Sequence, residues 1–90
     1  MMREMSFVDG QDIFKAGDPG DGLFVVKQGV VQISALLPTG VRCVFARMTP
    51  GDVFGEMTLV DEEPRSANAT ALGETTVYFV PREPMAELLL

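Results

Sequence analysis

Apolar residues fall in clusters of four or fewer, separated by glycine, proline and charged residues, a punctuation that predicts strands rather than helices. Ile13-Phe14 lies between Gly10 and Gly17, and the turn-rich stretch Gly17-Asp18-Pro19-Gly20-Asp21-Gly22 leads into Leu23-Phe24-Val25-Val26. Lys27-Gln28-Gly29 reads as a hairpin connection to Val30-Val31-Gln32-Ile33-Ser34, with Gly29 supplying the positive φ of a short turn. A second hairpin is expected from Leu36-Leu37 through Pro38-Thr39-Gly40 to the run from Val41 to Met48. Gly51-Asp52-Val53-Phe54 repeats the turn-then-strand device of Gly10 to Phe14. Glu56 to Val60 suits a short helix that Pro64 ends, with Asp61, Glu62 and Glu63 opposing its dipole. Ser66 to Ala71 and Thr75 to Val80 read as strands, and Met85 to Leu90, after Pro84, has helix formers in sequence.

About seven or eight short strands with frequent turns predict an all-β barrel or jelly roll rather than an open sheet. The 90 residues are expected to form a single domain, 1–90, with one modest core. Phe7, Phe14, Phe24, Phe45, Phe54, Tyr78 and Phe79 should supply that core and its rim, and Cys43 should be a small core residue.

Charge and composition narrow the chemistry. With no histidine and one cysteine, the chain lacks the donors for a Cys/His zinc site, an internal disulfide or a histidine-based catalytic dyad. A cupin-like enzyme on a similar fold is disfavoured for the same reason. A net charge of −6 is the wrong sign for tracking nucleic-acid phosphates. No apolar run approaches the roughly 20 residues of a membrane span, the N-terminus has no signal-peptide pattern, and a cytoplasmic setting is expected.

The informative stretch runs from Phe54 to Ala67. Gly55 at the start of a helical turn would let a ligand approach the backbone, where free N–H groups attract negative charge. Arg65, fixed by Pro64, offers forked donors that match two phosphate oxygens, and Ser66 adds a hydroxyl. Glu56 would repel a phosphate but accepts a hydrogen bond from a neighbouring sugar hydroxyl. Small side chains at Ala67, Ala69 and Ala71 would leave room for a flat base. Each residue also has a plainer explanation: a tight turn at Gly55, a helix-start acid at Glu56, a solvated hydroxyl at Ser66, and for Arg65 an ion pair with Asp21, Glu62 or Glu63.

Phe54-Gly55-Glu56 followed by Pro64-Arg65-Ser66-Ala67 resembles the phosphate-binding cassette of the cyclic nucleotide-binding domain family, the type found in catabolite activator protein and protein kinase A regulatory subunits. The upstream order of Gly10, Ile13-Phe14, Gly17 to Asp21, Leu23 to Val26 and Gly29 is similar to the family as well. The resemblance implies an eight-stranded β-roll, jelly-roll-like, with a short helix in the cassette and a truncated C-terminal helix, since family members continue through lid helices beyond the point where this chain stops. It implies non-catalytic binding of a cyclic mononucleotide as a regulatory module, with no cofactor and no metal. Carried over by position, the ligand-binding residues are Phe54, Gly55, Glu56, Met57, Arg65, Ser66 and Ala67. Arg65 would hold the cyclic phosphate, Glu56 the ribose 2′-hydroxyl, and Asp21 would brace the arginine. Ser66 after the arginine leans toward cyclic AMP over cyclic GMP. The expected partners are the nucleotide and either a second copy in a homodimer or an attached effector domain, with no nucleic acid or membrane. The alternative is an orphan β-roll that works through protein contacts without nucleotide.

Overall fold

Two long strands organise the molecule. The computed structural model describes residues 2–55 and 64–81, which form β1 (Arg3–Phe7), β2 (Asp12–Phe14), β3 (Gly22–Leu36), β4 (Arg42–Met48), β5 (Val53–Phe54) and β6 (Asn68–Pro81). All pairings are antiparallel, in the order β1-β6-β3-β4, with β2 added to β6 and β5 to β3. The 15-residue β3 and the 14-residue β6 each serve two sets of neighbours. Phe24 and Val25 of β3 face β5, whereas Val31 to Leu36 face β4. Thr75 to Phe79 of β6 face β1, whereas Ala69 and Thr70 face β2. Six strands are therefore described where the resemblance implies eight, because β3 and β6 run through the bends that would divide them.

The bend corrects one expectation. Lys27-Gln28-Gly29 does not turn the chain back; β3 continues, and the β3–β6 register shifts on both sides of Gln28. Gln28 pairs with Thr76 while Val30 pairs with Leu72, so β6 carries the surplus residues of a bulge. Gly29 does have a positive φ, of 90°, but its lack of a side chain answers a different need. A Cβ there would lie 2.5 Å from the Glu74 carbonyl oxygen and 2.8 Å from Thr75 Cα. Thr75, 2% exposed, fastens the bulge by donating from Oγ1 toward the Val30 and Gly73 carbonyls, each at 3.1 Å.

The hairpin at Pro38-Thr39-Gly40 forms as expected, closed by Leu37 N–H to Val41 O and Gly40 N–H to Leu37 O at 2.8 Å. Strand β1 was not legible in the pattern, because its segment is short and poor in β-branched side chains. It forms through pairing with the strongly β-prone end of β6, from Arg3 opposite Phe79 to Phe7 opposite Thr75.

Phe7, Phe24, Val26, Val31, Phe54, Ala69, Ala71, Val77 and Phe79 make the core, with Ile13, Phe14, Ile33 and Met48 packed against it. Burying a side chain such as Phe54 contributes about 1.5–3 kcal/mol. Phe45 departs from expectation: it is 60% exposed, since the β3–β4 register shift leaves it without a cross-strand partner. Cys43 is only half-buried, and Tyr78 sits at the rim beneath Lys27, whose Nζ is 5.5 Å from the ring centre. Among the described residues, no helix is long and apolar enough to cross a membrane, and no group of three or more potential metal ligands converges. The expected cassette helix, its acidic end Asp61-Glu62-Glu63 and the helix after Pro84 lie outside the described residues.

Candidate functional site

The site is built where four segments meet. Strand β2 brings Phe14, the start of β3 brings Gly22 and Phe24, the end of β5 brings Phe54 and Gly55, and the approach to β6 brings Arg65 and Ser66. The loop between β2 and β3 locks onto this approach through reciprocal backbone bonds. Arg65 N–H donates to Asp18 O and Gly17 N–H donates to Arg65 O, both at 2.8 Å. Two side-chain acceptors hold the loop: within it Lys15 N–H donates to Asp18 Oδ2, and Ala16 N–H donates to Asn68 Oδ1 at the start of β6, each at 2.9 Å.

Arg65 is the centre. It is 4% exposed, the most buried charged residue among those described. Its Nη1 donates to Gly55 O at 2.9 Å and its Nη2 to Gly22 O at 2.8 Å. The guanidinium carbon lies 4.4 Å from the Phe14 ring centre and 5.5 Å from that of Phe24, within range for cation–π attraction. Phe54 stacks on Phe24 at 5.2 Å, and Phe14 closes the aromatic group at 5.7 Å from Phe24 and 6.0 Å from Phe54. Burial pushes the Arg65 pKa down, opposed by the carboxylates of Asp21 and then Asp18; the guanidinium nevertheless stays charged near neutrality.

Asp21 Oδ1 stands 3.9 Å from Arg65 Nη2, with its own side chain 77% exposed. At that distance and exposure the pair contributes about 0–1 kcal/mol, so Asp21 biases the arginine electrostatically rather than anchoring it. The carbonyls of Gly22 and Gly55 fix its direction.

The structure brings Gly55 and Arg65 into contact, with Asp21 at the edge; Ser66 simply follows Arg65 in the chain. Phe54 is 2% exposed, a core position as expected, and its side chain forms part of the aromatic floor. Two residues are placed differently from expectation. Ala69 and Ala71 are fully buried in the core, on a strand paired with both β2 and β3, and their small side chains do not border open room for a base. Ala67 is half-buried and Ser66 exposed. Glu56 and Met57 lie outside the described residues. Phe14, Gly22, Asp18 and Asn68 belong to the site's support and were not singled out. For Gly22 the signal was its position before the β3 apolar run; a Cβ there would collide with the Val80 carbonyl oxygen and the Phe79 ring.

An antiparallel sheet that buries one arginine against the backbone carbonyls of Gly22 and Gly55 is the arrangement that comparison with known proteins places in a family. The chain belongs to the cyclic nucleotide-binding domain family, whose model matches residues 4–90. It is 31% identical over 84 residues to the CRP-like cAMP-activated global transcriptional regulator of Mycobacterium tuberculosis, covering 93% of this chain and 38% of that protein. The catabolite activator protein of Thermus thermophilus superposes with a TM-score of 0.91 at 34% identity, covering 98% of this chain and 41% of that one. The regulatory domain of Toxoplasma gondii PKA, crystallised with cAMP, superposes with a TM-score of 0.89 at 31% identity, covering 98% and 34%. The chain thus spans well under half the length of these relatives.

Proposed function

We propose that this domain binds a cyclic mononucleotide, cyclic AMP in preference to cyclic GMP, as a non-catalytic sensory module. The carrying observation is the fixed guanidinium of Arg65, charged, nearly buried and held at both Nη atoms by Gly22 and Gly55. A cation whose direction is set beforehand loses little freedom on meeting a phosphate. In this reading Arg65 takes the cyclic phosphate, Glu56 the ribose 2′-hydroxyl, and Gly55, Met57, Ser66 and Ala67 line the rest. The serine after the arginine supports the cyclic AMP preference. No cofactor or metal takes part. Binding acts by population shift on an attached effector or a second copy, in a cytoplasmic regulator. Calorimetric titration with both nucleotides tests this: micromolar cyclic AMP affinity exceeding that for cyclic GMP is expected, and silence at millimolar ligand overturns it.

One observation favours a second reading. Carbonyl oxygens of the protein itself already engage both Nη atoms of Arg65, as in an arginine kept for structure. An orphan β-roll of that kind would show no thermal stabilisation by either nucleotide, whereas a binder gains melting temperature by mass action.

A further inference from the structure

The charges of this chain are segregated. Residues 22–51 contain Lys27, Arg42 and Arg47 but no aspartate or glutamate, although the chain holds 13 acidic residues. Lys27 is paired with Glu4 at 2.8 Å. Arg42 and Arg47 have no carboxylate within 4.0 Å among the described residues; Arg42 Nη1 only donates to Ser34 Oγ at 3.1 Å.

Both arginines lie on β4, which ends the sheet path and pairs with β3 alone among the described strands. An odd separation of five would put them on opposite faces of a regular strand. The register shift cancels this: Arg42 stands opposite Leu36, Val44 opposite Ser34 and Arg47 opposite Gln32. The bulge therefore aligns Arg42, Val44 and Arg47 on one face. That face is apolar between its charges. Leu36 is 63% exposed, Val44 46%, and nearby Phe45 and Val41 are 60% and 59% exposed.

We infer that the β4 edge is a docking site for an extended, acidic and apolar peptide segment of a partner, which adds as a further strand and sets carboxylates opposite Arg42 and Arg47. Edge backbone provides the ladder, the bulged face provides the side-chain code, and charge complementarity selects the partner. Edge protection alone calls for charge of either sign; a pair of arginines with no carboxylate partner among the described residues selects for negative guests. A second copy fits poorly, because antiparallel β4-on-β4 pairing centred on Val44 and Phe45 sets Arg42 against Arg47. The site stands on different residues from the nucleotide reading, and its test does not involve nucleotide.

The test is amide NMR titration of the full chain with an acetylated heptapeptide alternating glutamate and valine. Saturable shifts confined to residues 36–48 are expected, and Arg47→Glu should weaken the affinity at least tenfold while leaving the thermal melt unchanged. Arg42→Glu should do likewise, and Phe45→Ser, which keeps both charges, should weaken it less. Absence of shifts at millimolar peptide, equal binding of a lysine–valine peptide, shifts centred elsewhere, preference for an oligonucleotide, or concentration-dependent self-association through β4 would each overturn the assignment.

Discussion

A methyl group on Gly55 would lie 2.5 Å from Arg65 Nη1, the same nitrogen that donates to the Gly55 carbonyl at 2.9 Å. The glycine is therefore required by the protein's own arginine as well as by a backbone φ of 82°. Ordinarily the tip of an arginine would swing aside, but here Gly22 O and the Phe14 ring hold it. Gly55→Ala is expected to cost about 1–2 kcal/mol from the left-handed backbone alone and to displace the guanidinium. Thermal unfolding and cyclic AMP titration of the same variant should both decline. Loss of stability with intact affinity would break the link between the two residues.

Arg65→Lys separates charge from geometry. A lysine cannot bond both the Gly22 and Gly55 carbonyls in a planar fork, so nucleotide affinity should fall by about tenfold or more even near neutral pH, where the charge is kept. The burial that lowers the Arg65 pKa would also lower that of a lysine, which starts near 10.4. As pH rises toward the ordinary lysine value of about 10.4, the unfolded variant would bind more protons than the folded one, so its stability should rise while its affinity falls further. Wild-type affinity should stay flat over the same window. Parallel titrations and melts across that range check both signs.

Phe14 acts on the site through Arg65. Its ring centre lies 4.4 Å from the guanidinium carbon, an interaction of about 0.5–2 kcal/mol. Phe14→Leu should weaken nucleotide binding by roughly that amount beyond its effect on stability, and Phe14→Tyr should restore most of it. Equal affinities for the leucine and tyrosine variants would reduce Phe14 to ordinary packing.

Gly29 offers a test of the bend. Its missing side chain faces backbone atoms of Glu74 and Thr75, and backbone cannot yield as a side-chain tip does. Gly29→Ala should destabilise by more than about 2 kcal/mol, combining left-handed strain with a clash in a packed bulge. Urea unfolding measures it. A variant as stable as wild type would mean that the β3–β6 bulge relaxes freely.

Most strands were legible because their cause is local. Phe24 to Val26 and Val77 to Val80 are β-branched and aromatic runs bounded by turn residues, and Pro38-Thr39-Gly40 has turn chemistry of its own. The contact between Gly55 and Arg65 was legible for another reason: the two residues lie close together along the chain in a distinctive order. Phe14, Gly22 and Asp18 were not, since their roles arise from segments remote in sequence. Phe14 is 51 positions before Arg65, and nothing around it announces a guanidinium above its ring.

The residue order by itself determined the β character of the described residues and one arginine-centred segment, because strand propensity, turn chemistry and motif spacing are properties of neighbouring residues. Only the tertiary structure decided that Lys27-Gln28-Gly29 is a bend and not a hairpin, that Ala69 and Ala71 seal the core, and that Gly22 and Gly55 aim the guanidinium of Arg65. These outcomes depend on approaches between segments remote in sequence, such as Ala69 to Ile33 and Arg65 to Gly22, and such distances are set by collective packing, which no local pattern encodes.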